Sequence, residues 1–484
     1  MYFLLIFALL LFSSTAASNK NGKFLLITDI HIDEKYDKNG NRSAMCHRNE
    51  NSSIDNKTPK EARDAGQNEI IGTYGDHNCD SPPELVDFML DEAKRLVSHP
   101  DFIIWTGDTA AHIKYTHQEF IDTMRTVTDD IKQRFPNVLV IPILGNHDVE
   151  PSNNFPDDSE LLNMYQGIFD LWKGWIGEES KETFLRGGYY YFKSPLDESE
   201  YLVLNTNIYY VINSAIPNFT NPNDPTGQFE FIEKHLSDVH LRNGKINIVG
   251  HVPPGGSIRY VWNSDKTEWQ VEMPKQYNKR LIDLFTKYAS SIGWMLFGHL
   301  HTDTFRVLKD SSGKPVQRMF LNPAITPMFN LNNPAFRIFD YDRENFGIKD
   351  IRTFYVDLDQ LNKEGANKVQ AVLEYSMKDA YGLKNFDAEE MNNLAKRLAR
   401  NDTLFNTYVR YNRVMNGRKN NDTSLITSMN RNIYICVIEN LDLEELEHCI
   451  SEVPSSALGK PSIATFIMFS VISFTALVTL FFKW

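Results

Sequence analysis

Short apolar runs recur along much of the chain, separated by longer stretches of mixed polarity. Phe24 to Ile27, Phe102 to Trp105, Tyr201 to Leu204, Ile246 to Val249 and Trp294 to Phe297 are each four residues long with little polar interruption. Runs of that length and character read as strands buried on both faces. Val138 to Leu144 is a further strand, interrupted by Pro142 near its end. Between these runs the period changes. Leu85, Val86, Met89, Ala93, Leu96 and Val97 form a helical stripe over 85–98, and Glu119 to Arg134 reads as a second helix. Strands alternating with helices predict an α/β architecture. Met319 to Leu321, Phe336 to Phe339 and Phe354 to Val356 follow one another more closely, which predicts closing strands in a partly mixed or antiparallel sheet. Beyond Asp357, Leu361 to Tyr381 and Asp387 to Val414 read as helical and polar-faced, with Met415-Asn416-Gly417 as a helix stop.

The two ends are read separately. Tyr2 to Phe12 is an apolar run followed by Ser13-Ser14-Thr15-Ala16-Ala17, the pattern of a secretory signal peptide cleaved near Ala17. At the other end Ile463 to Phe482 carries no charge and is long enough to cross a bilayer. The small residues Ser455-Ser456-Ala457 and a short spacer precede it, as in a GPI-attachment signal, with a plain membrane tail as the alternative. The expected organisation is a signal peptide over 1–17, a catalytic domain over 18–357, a helical C-terminal domain over 358–452, and a GPI signal or membrane tail over 453–484. Both anchoring modes place the protein outside the cytosol at a cell surface.

Composition narrows the chemistry. With 484 residues and 42% hydrophobic content a large core is expected. The net charge of -13, with no basic patch to oppose it, argues against a nucleic-acid polymer as partner. A small phosphoester held directly by metal ions needs no basic protein. Six N-x-S/T triplets, at Asn41, Asn51, Asn56, Asn218, Asn401 and Asn421, fit a secreted glycoprotein. Four cysteines permit three pairings, of which the local one, Cys46–Cys79 with Cys436–Cys449, is expected. A monomer is expected.

The chemistry lies where the apolar runs end. Asp29-x-His31, Gly107-Asp108, Gly145-Asn146-His147-Asp148, Gly250-His251 and Gly298-His299-Leu300-His301 each follow one. In α/β folds ligand sites gather beyond the carboxyl ends of strands. A lone histidine after a strand is usually structural, and Gly-Asp or Gly-Asn alone is an ordinary turn. Five groups in this order make the outline of a two-metal phosphoesterase site. One ion is expected to take Asp29, His31, Asp108 and His301, and the other Asp108, Asn146, His251 and His299, with Asp108 shared. Asp29 and His31, two apart, would face one side if they continued the strand. Imidazole with carboxylate suits zinc, with iron or manganese still open. A hydroxide formed on the metals would attack phosphorus, and His112, His147 or both would protonate the leaving oxygen, with Asp148 as an orienter of His147. The other seven histidines keep a structural reading, as do Tyr189-Tyr190-Tyr191 and the loop Asn78 to Pro82.

The motif order D-x-H, GD, GNHD, GH, GHLH resembles the calcineurin-like metallophosphoesterase superfamily. Trp105-Thr106-Gly107-Asp108-Thr109 with His112, Gly250-His251-Val252-Pro253-Pro254-Gly255 and Gly298-His299-Leu300-His301-Thr302-Asp303 are similar to acid sphingomyelinase and its relatives. Asn322-Pro323-Ala324-Ile325-Thr326-Pro327, Asn332-Asn333-Pro334 and Phe339-Asp340-Tyr341-Asp342 resemble the acid sphingomyelinase-like phosphodiesterases. The resemblance implies a four-layered α/β/β/α sandwich with a small helical C-terminal unit, two zinc ions on the seven residues named above, and His112 and His147 as acids. Acid sphingomyelinase carries a saposin-like domain ahead of its catalytic domain, for which there is no room between Ala17 and Phe24. That departure favours a nucleotide-type phosphodiester or phosphoanhydride. Sphingomyelin cleavage, a non-catalytic surface lipid modulator and, at lower weight, an endopolyphosphatase are the alternatives. The relatives also carry another cysteine pair near Cys436 that is missing here.

Overall fold

The apolar runs form the centres of two six-stranded sheets in this computed structural model, which describes residues 20–48, 71–260, 267–328, 332–414 and 428–453. Strands β1 (Asn21–Ile27), β2 (Phe102–Trp105) and β3 (Leu139–Pro142) pair in parallel. In the second sheet β4 (Tyr190–Lys193) and β5 (Glu200–Val203) lead to β6 (Ile246–Val249), and β7 (Gly256–Tyr260) and β8 (Thr267–Val271) form a separate hairpin. Strands β9 (Ile292–Phe297), β10 (Thr304–Lys309) and β11 (Pro315–Leu321) complete that sheet in the order β10-β11-β9-β6-β5-β4. Strands β12 (Ala335–Asp342), β13 (Ile348–Tyr355) and β14 (Val372–Ser376) return antiparallel to the first, giving β14-β13-β12-β1-β2-β3. The expected mixed sheet is therefore present.

The sheets meet through aromatic side chains. The Phe24 ring stacks on Phe102 and Phe339 at 4.7 and 4.5 Å and lies 5.6 Å from Trp294 of the other sheet. Tyr201 bridges to both Phe102 and Trp294. Such offset contacts add to the burial of large apolar area. Helices cover the outer faces. The helix Pro83–Leu96 starts with proline at its first turn, and His117–Arg134 starts with a capping box between Thr116 and Glu119. They connect β1 to β2 and β2 to β3, as parallel pairing requires. Trp172 on Leu162–Ile176 packs edge-on against Trp105, and Ala388–Arg400 packs on β10 and β11. One polar bolt crosses the interior: fully buried Arg337 on β12 binds Asp303, whose other oxygen accepts from Thr353 at 2.8 Å.

The C-terminal region departs from expectation in two places. Within 361–381 the segment Val372–Ser376 is a strand, because Val372, Leu373 and Tyr375 find register on β13. The first sheet thus runs on past residue 357, where the catalytic unit was expected to stop. The stretch 387–414 is two helices, Ala388–Arg400 and Asp402–Asn412, broken where the Asn401 side chain caps the second. Both disulfides are the local pairs, Cys46–Cys79 and Cys436–Cys449. The signal-peptide segment, the C-terminal apolar segment, the stop at 415–417 and the triplets at Asn51, Asn56 and Asn421 lie outside the described residues. No helix among the described residues is long and apolar enough to cross a membrane.

Candidate metal centre

The five motifs converge beyond the strand ends of both sheets. The parallel pairing of β1 and β2 continues past the strands: Asp29 N donates to Gly107 O at 2.9 Å and His31 N to Asp108 O at 3.0 Å. The chain there is no longer extended. Asp29, His31, Asp108, His299 and His301 all hold positive φ, between 43° and 71°. Non-glycine residues rarely adopt that region, and clusters of them mark functional sites. Asp29 and His31 therefore share a side through left-handed turns, not through the strand alternation expected from their spacing. Gly107 and Gly145 have a specific reason. A Cβ on Gly107 would strike the Gly145 backbone nitrogen, and one on Gly145 would strike the Asp108 backbone nitrogen.

Two clusters of side-chain atoms form, each with its atoms within 4.8 Å of one another: Asp29, His31, Asp108 and His301, and Asp108, His251 and His299. Asp108 belongs to both. Its Oδ2 lies 3.3 Å from His31 Nε2 and 3.1 Å from His251 Nε2. Asp29 Oδ1 is 3.4 Å from His301 Nε2. Asn146 joins the second cluster, its Oδ1 2.8 Å from His299 Nδ1 and 3.1 Å from His251 Nε2. The Asn146 amide nitrogen donates to Asn153 Oδ1 at 3.0 Å, which turns its oxygen inward. All seven residues singled out in the sequence thus lie together.

The donor set fits divalent cations. His31 Nδ1 faces the Ala110 carbonyl at 2.8 Å and His251 Nδ1 the Thr106 carbonyl at 2.7 Å. A carbonyl only accepts, so in each neutral ring Nε2 is left as a lone pair pointing at carboxylate or carboxamide oxygens. His31 Nε2 is buried with no hydrogen-bond partner among the described residues. Acceptors facing acceptors in a dry site repel unless a cation or extra protons lie between them. The titration follows. Burial alone would lower both histidines, yet Asp108 raises His31 and His251 to about 9. Burial likewise opposes charge on the carboxylates, but His301 holds Asp29 below its usual range, and His251 and His31 hold Asp108 well below it.

Beside the first cluster stand His112 and His147, their rings 4.1 Å apart, with His112 4.3 Å from His31. Asp80, fully buried, accepts from the His112 backbone nitrogen at 2.7 Å and lies 2.9 Å from its Nδ1. Burial lowers the His112 pKa, and Asp80 only partly offsets it. Burial, then repulsion from His112, pushes His147 well below its ordinary value. Asp148 does not orient His147. Its oxygens accept from Thr109, Ala110 and Gly145 backbone nitrogens, tying the Asp108 loop to the 145–148 loop.

A family model described as calcineurin-like phosphoesterase matches residues 22–303, and one described as acid sphingomyelin phosphodiesterase C-terminal region matches 314–455. Human acid sphingomyelinase-like phosphodiesterase 3b is 32% identical over 89% of this chain and 90% of its own length. The chain belongs to the acid sphingomyelinase-like phosphodiesterases of the calcineurin-like phosphoesterase family. The Bos taurus cyclic GMP-AMP phosphodiesterase SMPDL3A is 32% identical over 89% of this chain and 91% of its own. Sphingomyelinase phosphodiesterase C of Dictyostelium discoideum is 30% identical over 74% and 78%. This phosphodiesterase is thus metal-dependent, with an α/β fold. Within it Asp80, Asn153 and Glu272 were missed by sequence reasoning. Asp80 had one available sign, its place beside Cys79, whose disulfide fixes the loop. The segment 322–327 also gains a role: Ile325 N and Thr326 N donate to Thr28 O and Asp29 O at 3.1 and 2.9 Å.

Proposed function

We propose that the enzyme is secreted or surface-held and hydrolyses small phosphodiesters or phosphoanhydrides, with nucleotide-type substrates favoured. One observation carries the reading: a single oxygen, Asp108 Oδ2, faces a histidine from each cluster at 3.3 and 3.1 Å. Asp29, His31, Asp108 and His301 would hold one divalent cation, and Asp108, Asn146, His251 and His299 the other, zinc being the best match to such a set. When bound, two such ions supply a nucleophilic oxygen near neutral pH and offset charge on the phosphoryl group. The protein's own groups do the rest. Asn153 keeps the Asn146 oxygen inward. Asp80 anchors His112 at Nδ1, so Nε2 is the ring nitrogen that gives its proton to the leaving oxygen. His147, beside it, is the second acid.

The nucleotide preference is supported by similarity to a protein named for cyclic GMP-AMP and by the chain's acidity, which disfavours a polyanionic polymer. The similarity to proteins named for sphingomyelin supports the rival substrate. The apolar segments at both ends support export and anchoring by a GPI group or membrane tail. Purified protein of measured metal content, given a cyclic dinucleotide, a nucleoside triphosphate and sphingomyelin, tests the reading. Hydrolysis of the first two with about two ions per chain is expected. Turnover of sphingomyelin alone would overturn the substrate, and turnover without metal would overturn the site.

A further inference from the structure

Four histidines line the two clusters, and one is held differently from the rest. His31, His251 and His301 turn Nε2 inward and set Nδ1 against backbone carbonyls, those of Ala110, Thr106 and Met328. His299 is reversed. Its Nδ1 lies 2.8 Å from Asn146 Oδ1, and its Nε2 lies 3.1 Å from Glu272 Oε2. Glu272 is fully buried. Its other oxygen accepts from Ser257 Oγ and, at 3.0 Å, from Gln270 Nε2, so both strands of the β7–β8 hairpin clamp it. The backbone is clamped too: Glu272 N donates to Gly255 O at 3.1 Å, and Val211 N donates to Glu272 O at 2.9 Å. The Tyr210 ring stands nearly perpendicular to the His299 ring, 4.6 Å away.

We propose, building on the two-metal reading above, that Glu272 is the positioning residue of the second cluster, holding His299 with Nδ1 forward and strengthening that cluster's grip on its cation. An ionised carboxylate can only accept, so the Nε2 beside it carries the hydrogen. In the neutral ring Nδ1 is then the lone pair, and it faces the same space as His251 Nε2. A carbonyl partner fixes a tautomer equally well, but a carboxylate also adds negative charge to the ring and makes it a better donor to a metal. The Nδ1 atoms of His31, His251 and His301 face backbone carbonyls instead. The second cluster needs that charge more, because Asn146 is neutral there while the first cluster has Asp29. Glu272 thus supplies from behind the charge that Asp29 supplies directly on the other side.

Metal titration tests this without reference to turnover. The metal-stripped full chain is titrated with Zn2+, and with Co2+ to record the visible spectrum of each site as it fills. Wild type should load two ions in distinguishable steps. Glu272→Gln, which keeps the size but not the charge, should weaken one of the two steps by about 10- to 100-fold and alter its cobalt spectrum, leaving the other step unchanged. Glu272→Asp, which keeps the charge at shorter reach, should recover part of the loss, and it serves in place of the first variant if that one does not fold. Ser257→Ala removes one of the two side-chain donors that clamp Glu272 and should weaken the same step less than Glu272→Gln does, leaving the other step unchanged. Two wild-type steps in Glu272→Gln, or equal weakening of both steps together with a lower melting temperature, would overturn the assignment. Fewer than two ions in wild type would instead overturn the two-metal reading beneath it.

Discussion

Replacing Asp80 by asparagine isolates His112, the proposed proton donor. Asp80 is fully buried and sits 2.9 and 3.1 Å from His112 Nδ1, while the His112 side chain is 17% exposed. Opposite charges about 4 Å apart at an effective dielectric of about 20 attract by about 4 kcal/mol, an upper bound of roughly 3 pKa units. Partial exposure reduces that to roughly 1–2 units, inside the range usual for such pairs. Asp80 raises the His112 pKa against burial, so removing its charge lowers the pKa further below 6.5. Asparagine still offers an oxygen to the His112 backbone nitrogen. The protonated fraction of His112 then begins to fall at a lower pH. The basic limb of the kcat/KM profile should therefore move down by about 1–2 pH units, costing about 10- to 100-fold above the limb. Below both pKa values the two enzymes should run at similar rates. A uniform loss at every pH would mean that Asp80 only holds the loop, and an unmoved limb would mean that His112 is not the acid.

Asp108→Asn should cost at least about 1,000-fold in kcat/KM, since the charge facing both clusters is worth several kcal/mol, while thermal melting stays near wild type; retained turnover would refute the shared role. Metal uptake should strengthen as pH rises from 7 to about 9 and then level off, because apo His31 and His251, both raised to about 9, hold protons that the cations displace. Calorimetry in buffers of different ionisation enthalpy reads that proton release, and a pH-independent affinity would exclude it. Asp303→Ala leaves the fully buried Arg337 without its carboxylate and should cost about 3–5 kcal/mol in urea unfolding; a loss below about 1 kcal/mol would remove the bolt from the fold's energetics.

Why the sequence disclosed the seven clustered residues but not their supports follows from how each is held. Asp29, Asp108, Asn146, His251 and His299 sit one or a few residues past apolar runs, so strand pattern and residue type place them together. Asp80 and Glu272 have no such marker. Asp80 lies after a disulfide in what reads as a loop, and Glu272 follows a hairpin whose apolar pattern is weak, so only tertiary contact reveals either. Strand β14 was hidden for the same reason: Val372 and Leu373 are half exposed, and its pairing with β13 rather than its own pattern makes it a strand. The left-handed backbone was equally invisible, since aspartate and histidine at positive φ look like any others in a sequence. Yet it is the feature that lets the site form. Asp29, His31, Asp108, His299 and His301 each sit in a conformation costing of order 1 kcal/mol. The bonds from Asp29 N to Gly107 O, from His31 N to Asp108 O and from His299 N to both Asp29 oxygens, at 3.1 and 3.2 Å, hold them there. The loops are thus tied to one another and not only to their strands. The geometry of the centre is a property of the whole set of loops, and a substitution in any one of them should be felt at the others.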